Sequence, residues 1–159
     1  MSSEGKPEKP LSSARTIKCM YTNADTLTNK FLELELLVQE NDYDVIAVTE
    51  VVPKSLGKQV DGFVFEGYRV ISDLTGRGVC LFIRSDIEVF LLFEDGVFKP
   101  SIVCKLVLAN KESFVIAVLY RSPSSTPSEN IEVNTLVNKL FDQFGKERVT
   151  GIYSWKFCK

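Results

Sequence analysis

The sequence predicts an α/β sandwich whose strands are mixed and whose helices cover the outer faces. Two observations lead to this class. Strand-sized apolar runs follow one another through the middle of the chain, and an amphipathic helical pattern stands before and after most of them. The predicted order is strand, helix, strand, several strands in succession, helix and strand. This order is neither the regular alternation of βαβ units nor the unbroken series of an all-β sandwich.

The first predicted elements follow a polar leader. Residues 1–15 are rich in Pro, Ser and charged residues, so a disordered leader is predicted there, and one domain is predicted over residues 16–159. Apolar and polar residues alternate over 16–21, which indicates a strand. An apolar stripe then predicts a helix, with Asp25 or Thr26 as its N-terminal cap. The stripe comprises Leu27, Phe31, Leu34 and Val38.

The middle of the chain contains the main strand-forming segments. The run from Tyr43 to Thr49 is almost continuously apolar, which is typical of a strand buried on both faces, and it ends at Glu50. Further strands are predicted in succession, with a hairpin turn at Asn110 and Lys111. These strands cover residues 63–71, 79–84, 87–93, 101–108 and 113–120.

A second helix and a last strand close the predicted domain. Residues 126–129 read Thr-Pro-Ser-Glu, which is a capping box with Pro at the first helical position. Gly145 stands where a C-terminal glycine cap belongs, and the apolar run from Val149 to Trp155 predicts a strand. The apolar stripe of this helix comprises Val133, Val137, Leu140 and Phe144.

Charge and composition limit the classes of function. The formal net charge is −2, so no general basic field indicates nucleic-acid binding. The sequence has neither a run long and apolar enough for a transmembrane helix nor the pattern of a signal peptide. We therefore expect an intracellular protein without a membrane partner, in the nucleus or the cytoplasm. The four cysteines have no metal-ligand spacing and are interpreted as small core residues.

The chain contains no histidine. This excludes a Ser-His-Asp or Cys-His catalytic arrangement, a His-ligated zinc site and a His general base. Any hydrolysis by these residues must therefore depend on carboxylates, a metal ion, Tyr, Lys or Arg, or on a partner's residues.

Polar residues at the ends of predicted strands are the candidates for a site. Asn23 follows the first strand, Glu50 follows the second, and Tyr120 and Arg121 follow the seventh. If these ends converge, a carboxylate and an amide oxygen suit Mg²⁺, and an Arg beside a metal-bound phosphate suits phosphodiester hydrolysis.

Each of these residues also has a purely structural interpretation. Glu50 could be a solvated strand end, and Asn23 could be a turn or cap residue. Tyr120 could be a rim residue of the core, and Arg121 a surface charge. Taken singly, none of them establishes a site.

Three segments, taken in order, resemble motifs of a known superfamily. An Asn follows the first strand, Asn29-Lys30 opens the helix, and residues 46–50 read Ile-Ala-Val-Thr-Glu, similar to "I-x-x-T-E". Residues 76–79 read Gly-Arg-Gly-Val, one glycine different from "R-G-G-V", and residues 119–125 resemble a "Y-R-P-P-S-S" loop. With these motifs, residues 16–150 resemble the endonuclease/exonuclease/phosphatase superfamily, which is deoxyribonuclease I-like. The likeness is greatest to the endonuclease domains of non-long-terminal-repeat retrotransposons.

The resemblance implies a Mg²⁺-dependent phosphodiester hydrolase that acts on DNA. It implies that Glu50 and Asn23 hold the metal ion near the phosphate. It also implies that Tyr120 and Arg121 stabilise the charge that develops on the phosphate.

The sequence also departs from the superfamily. A "G-D-F-N" strand is expected after the second helix, but Gly151 is followed by Ile-Tyr-Ser-Trp, and the later "S-D-H" motif is missing. We therefore expect an incomplete sandwich, mainly the first sheet with its helices, that binds Mg²⁺ weakly or not at all and is inactive alone. Its bare sheet face would require a protein partner. The alternative is a non-enzymatic mobile-element remnant or interaction module.

Overall fold

The computed structural model describes residues 16–53, 62–93 and 98–144 and the backbone of residues 149–155. These residues form two sheets of four strands each and two helices. In chain order the elements are β1 (Cys19–Asn23), α1 (Leu27–Glu40), β2 (Val45–Thr49), β3 (Tyr68–Asp73), β4 (Val79–Arg84), β5 (Glu88–Leu92), β6 (Ser101–Val107), β7 (Ser113–Arg121), α2 (Pro127–Phe144) and β8 (Val149–Trp155).

Both sheets contain parallel and antiparallel pairs. Sheet A has the order β1-β2-β4-β3, in which β1 and β2 are parallel and the other neighbours antiparallel. Sheet B has the order β5-β6-β7-β8, in which β7 and β8 are the parallel pair. Each parallel pair is connected through a helix, α1 in sheet A and α2 in sheet B, because parallel neighbours need a crossover connection.

The main core lies between the two sheets. Alternate residues of β2, β4, β6 and β7 point into it. In β2, Val45 and Ala47 face this core, whereas Ile46 and Val48 face the other side of the sheet. Both faces of these strands are therefore buried, which explains their continuous apolar runs.

Each helix covers the outer face of one sheet. Leu27 and Leu34 of α1 pack against Ile46 and Phe82 of sheet A. On the other side, α2 packs on β6 and β7 of sheet B, mainly through Val133, Leu136 and Leu140. The layers are therefore helix, sheet, sheet and helix, and no helix among the described residues is long and apolar enough to span a bilayer.

The predicted fold class is confirmed, but the expectation of mainly one sheet is wrong. Strands β5 to β8 form a sheet of their own, and its apolar residues cover the inner face of sheet A. The described large apolar residues that are exposed lie mostly on outer helix faces and edge strands, such as Leu32 and Phe90. The bare inner face on which the predicted protein partner depended is therefore absent from the described part of the chain.

The two helices begin in different ways. At α2 the predicted capping box is confirmed, since Glu129 accepts from the Thr126 amide at 2.6 Å and Thr126 Oγ1 accepts from the Glu129 amide at 3.2 Å. At α1 Thr26, one of the two predicted cap residues, occupies the N-cap position, but its side chain makes no capping hydrogen bond. The amides of Thr26 and Leu27 donate instead to the carbonyls of Glu50 and Val51.

The predicted hairpin turn and the predicted burial of the cysteines can be compared with the structure. The hairpin turn is confirmed, since Lys111 has a positive φ of 68° and its amide donates to the Leu108 carbonyl at 2.9 Å. Cys80 and Cys104 are buried as predicted, but Cys19 is exposed because β1 is an edge strand. The leader 1–15, Gly145 and Cys158 lie outside the described residues.

Asp73 joins the two sheets at one end of the sandwich. It ends β3 of sheet A, and its Oδ2 accepts from the amide of Ser101, the first residue of β6, at 3.0 Å. Its Oδ1 accepts from Thr75, and Lys99 Nζ lies 3.3 Å from Oδ2. Burial alone would raise the pKa of Asp73, but the hydrogen bonds from Ser101 and Thr75 and the charge of Lys99 outweigh it and lower the pKa below 3.8.

We expect Asp73→Asn to lower the free energy of unfolding by about 1–2 kcal/mol at neutral pH, because it removes a charged acceptor from this link. A depressed native pKa contributes stability that is present above the unfolded pKa and lost as pH falls through the native pKa. The difference between the two proteins should therefore vanish in acid. Urea denaturation at several pH values measures it.

The matched control is Asp86→Asn, because the Asp86 side chain is 52% exposed and pairs with Arg84 at the surface. We expect that change to cost less than about 0.5 kcal/mol. A difference for Asp73→Asn that stays constant down to strong acid would contradict the assignment of this carboxylate.

Candidate functional site

Three of the four predicted site residues meet at one end of the sandwich. Asn23 ends β1, and Glu50 directly follows β2, so the parallel pairing of these strands brings them side by side. Tyr120 lies near the end of β7 in the opposite sheet, and its side chain points into the core between the sheets. Its phenol is hydrogen-bonded to Glu50. The site is therefore built from both sheets.

Glu50 is the centre of this arrangement, with its side chain only 1% exposed. Its Oε1 accepts a hydrogen bond of 2.8 Å from Asn23 Nδ2. Asn23 is itself oriented by its Oδ1, which accepts from the Asp25 amide at 3.0 Å. A carboxylate this buried needs such donors, because an unpaired charge is costly away from water.

The backbone at Glu50 is also unusual. Its φ is 54°, in the left-handed region that non-glycine residues rarely adopt. The Glu50 carbonyl accepts from the Thr26 amide at 2.8 Å, and the Thr49 carbonyl accepts from the Ala24 amide at 2.9 Å. The loop before α1 is thereby fixed to the end of β2. Strain of this kind costs about 1–3 kcal/mol and is often found at functional sites.

The cation of the site is Arg77, which the sequence patterns identified only as part of a glycine-containing motif. Arg77 Nη2 donates to Glu50 Oε2 at 3.1 Å and to Asp25 Oδ1 at 2.8 Å. Its side chain is 15% exposed, and within the described part of the chain its Nε and Nη1 are buried without a hydrogen-bond partner. The guanidinium therefore contacts both carboxylates through one of its three nitrogens, Nη2.

The turn before β4 places Arg77 against Glu50. Gly76 and Gly78 flank it with positive φ values of 57° and 71°. The Val52 amide donates to the Arg77 carbonyl at 2.9 Å, so the turn is tied to the segment that follows Glu50. A Cβ on Gly78 would stand 2.9 Å from Val52 Cγ2. A side chain at position 78 would therefore clash with Val52, whereas Gly76 is favoured only by its positive φ.

Arg121, the fourth predicted residue, contacts helix α2 and not Glu50 through its Nε. Its Nε donates to Asn130 Oδ1 of α2 at 2.7 Å. Successive residues of a strand point to opposite faces, so Tyr120 faces the core between the sheets while Arg121 faces the helix. The structure thus brings together Asn23, Glu50 and Tyr120, with Arg77 as the cation beside them.

Tyr120 is held in its neutral form. Burial, followed by its hydrogen bond to Glu50 and the charge of Glu50, raises the pKa of Tyr120 to about 12. The phenol therefore remains a hydrogen-bond donor throughout the physiological range.

The oxygen atoms of this site are already engaged. Both carboxylate oxygens of Glu50 accept hydrogen bonds, from Asn23 and Arg77, and the amide oxygen of Asn23 accepts from the Asp25 backbone. Over the described ranges, no three acidic or thiol side chains lie close enough together to bind a metal ion. In this arrangement the donor set does not fit Mg²⁺, which takes six oxygen ligands with several of them water.

A separate cleft of about 610 Å³ lies at the other end of sheet A. It is bounded by the second half of α1, the start of β3 and the end of β4, where Tyr68 pairs with Arg84. Four carboxylates and a single Arg line it, which disfavours an anionic ligand. The cleft is therefore not the place for phosphate chemistry.

The sequence and the structure were compared with those of known proteins. No protein-family model matches the sequence, and no curated protein matches it. Solved structures do match. An endonuclease/exonuclease/phosphatase family protein from Bacteroides thetaiotaomicron has 16% sequence identity and a TM-score of 0.55, with 86% of this chain and 62% of that chain covered.

A retrotransposon endonuclease domain and a protein solved with DNA match this fold with similar TM-scores. The endonuclease domain of TRAS1, a telomere-specific non-LTR retrotransposon, has 13% identity and a TM-score of 0.58, with 86% of this chain and 59% of that one covered. TDP2 from D. rerio, solved with a single-strand DNA product, has 11% identity and a TM-score of 0.58, with 86% and 58% covered.

The chain has the endonuclease/exonuclease/phosphatase fold. It spans 58% to 62% of the length of the three structures above. The deoxyribonuclease I-like fold expected from the sequence motifs is thereby confirmed. Within this fold, Glu50 and its neighbours occupy the end of the sandwich at which β1 and β2 terminate.

We expect Gly78→Ala to destabilise the protein more than Gly76→Ala. Both changes place a Cβ at a positive φ, which costs about 1–2 kcal/mol. Only Gly78 adds a contact of 2.9 Å, because nothing lies within 4 Å of a Cβ on Gly76. Overpacking typically adds about 1–3 kcal/mol. Equal unfolding free energies for the two variants in urea would contradict the close approach of this turn to Val52.

We expect Glu50→Gln to lower the pKa of Tyr120, because one of the causes that raise it is the negative charge of Glu50. Burial remains, so the pKa should stay above its ordinary value of 10. The difference in phenolate absorbance between each protein and its Tyr120→Phe counterpart isolates this titration. Tyr68 is an internal control, since Glu50 is not among the groups that shift its pKa. An unchanged midpoint would show that Glu50 does not contact the phenol.

Proposed function

We propose that this chain is the N-terminal portion of a phosphodiester hydrolase domain of the retrotransposon-endonuclease type, with negligible activity of its own. The convergence of Asn23, Glu50 and Tyr120 at one end of the sandwich is the observation that carries the proposal. The similarity in fold to the TRAS1 endonuclease domain supports it.

The chemistry of the site suits the phosphate side of such a reaction. Tyr120 is a neutral donor at physiological pH, and Arg77 carries a permanent charge. We propose a role in phosphate binding for Arg121 as well, although its Nε donates to Asn130 Oδ1 on the α2 side of sheet B. These groups supply the donors and the positive charge that a phosphodiester requires.

The groups that would activate water are missing from the sequence. It contains no histidine, and no Asp-Phe-Asn follows Gly151. General acid–base help is worth about 10²- to 10⁴-fold in rate, and residues that act as a unit lose activity together. For magnesium we propose weak binding at best at Glu50 and Asn23, because their oxygens are engaged.

DNA is the proposed ligand class. The support is the similarity in fold to proteins such as TDP2, solved with a single-strand DNA product. Because the formal net charge is −2, any contact with a nucleic acid must be made by a local group of donors rather than by a general basic surface.

The second candidate is a non-enzymatic remnant of a mobile element. The ion pair between Arg77 and Glu50 favours it, because the pair neutralises the carboxylate that would otherwise bind a metal ion. The genomic sequence downstream of the codon for Lys159 distinguishes the two candidates. In-frame G-D-F-N and S-D-H motifs favour the hydrolase portion, and their absence favours the remnant.

We expect the purified 159-residue chain to leave supercoiled plasmid intact in the presence of Mg²⁺. The matched control is Glu50→Ala, which should give the same background. A Mg²⁺-dependent nick that Glu50→Ala abolishes would contradict the proposed inactivity and would show that the residues present suffice for cleavage.

A further inference from the structure

We propose that Arg77 is an internal cation of the Glu50 site, and that a divalent cation binds there only by displacing the Arg77 guanidinium. The inference concerns the same site as the proposed function. It depends on the arrangement of charges and not on cleavage of any phosphodiester, so the two can fail separately.

The first step is the balance of charge. Glu50 is 1% exposed, and the Arg77 guanidinium lies 3.1 Å from its Oε2 and 2.8 Å from Asp25 Oδ1. One cation therefore bridges two carboxylates, as a bound divalent ion would. A second cation added to the same oxygens would meet a like charge at close range in a poorly solvated position. The two cations are therefore mutually exclusive.

The second step is the hydrogen bonding of the guanidinium. An Arg side chain has five N–H donors and usually engages carboxylates through two nitrogens. Here a single nitrogen makes both contacts, and within the described residues Nε and Nη1 are buried without a partner. Buried donors without acceptors are unfavourable. The ion pair is thus held by charge and only poorly by hydrogen bonds, which makes the side chain displaceable.

The third step is that displacement needs no rebuilding of the fold. The backbone of the turn is fixed by the bond from the Val52 amide to the Arg77 carbonyl and by the pairing of Val79 with Thr49. The side chain can therefore leave by rotation about its own bonds. Asp25, whose side chain is 61% exposed, lies on the solvent side of the pair and marks the direction of exit. Arg77 is a positioning residue in this scheme, because it controls access to the carboxylates.

The test is the binding of Mg²⁺ to the 159-residue chain, measured by isothermal titration calorimetry. We expect Arg77→Gln to bind Mg²⁺ at least about tenfold more tightly than the unmodified chain, because the competing charge is gone. Adding Glu50→Gln to that variant should abolish the gain. The matched control is Arg69→Gln, which removes the same charge from β3, where Arg69 donates to the Ser85 carbonyl at the far end of sheet A.

A second measurement follows Arg77 directly. The Nε–H signal of Arg77 is identified in the NMR spectrum of the unmodified chain as the arginine signal that Arg77→Lys lacks. Saturating Mg²⁺ should change the chemical shift of this signal. If Arg77→Gln folds only with metal present, recovery of its circular dichroism by Mg²⁺ supports the proposal in the same way. Equal affinities in the unmodified chain and Arg77→Gln would overturn it. So would a bound Mg²⁺ that leaves the Arg77 signal unmoved, or an unfolded variant that Mg²⁺ does not rescue.

Discussion

A carboxylate removed from water must find donors and a compensating charge, and among the described residues this constraint is strongest at Glu50, which is 1% exposed. Its requirement is met from three directions: Asn23 at the end of β1, Arg77 in the turn before β4, and Tyr120 from the opposite sheet. One charge thus ties together both sheets and the loop that leads into α1. Because removal of Arg77 would leave the buried charge of Glu50 uncompensated, at a general cost of about 3–5 kcal/mol, the fold depends on this ion pair.

Much of the fold follows from local patterns, and the rest depends on pairings between distant segments. The alternating and continuous apolar runs predicted every strand that the structure contains, and Thr126 and Glu129 predicted the start of α2. The division into two sheets could not be read in this way, because β2 pairs with β4 and not with the next strand along the chain. A contact between distant segments also satisfies the start of α1, since the amides of Thr26 and Leu27 donate to the carbonyls of Glu50 and Val51.

The site was predictable where its residues end strands and not where they belong to a turn. Asn23, Glu50 and Tyr120 stand at strand ends, and this signal identified them. Arg77 lies between two glycines, and this pattern by itself indicates only a turn. Its place beside Glu50 follows from the antiparallel pairing of β4 with β2, which the sequence pattern does not reveal. The separation of Tyr120 from Arg121 follows from the two-residue period of a strand, so that signal was present in the sequence.

The left-handed backbone of Glu50 has a consequence for engineering this domain. Gly, and to a lesser degree Asn, occupy such a conformation at little cost, but neither offers a carboxylate that could reach Arg77. The strain that such a replacement would relieve, about 1–2 kcal/mol, is smaller than the cost of about 3–5 kcal/mol for leaving the largely buried Arg77 without its partner. The ion pair therefore retains the strained residue, and a stabilised version of the domain should be sought among substitutions elsewhere.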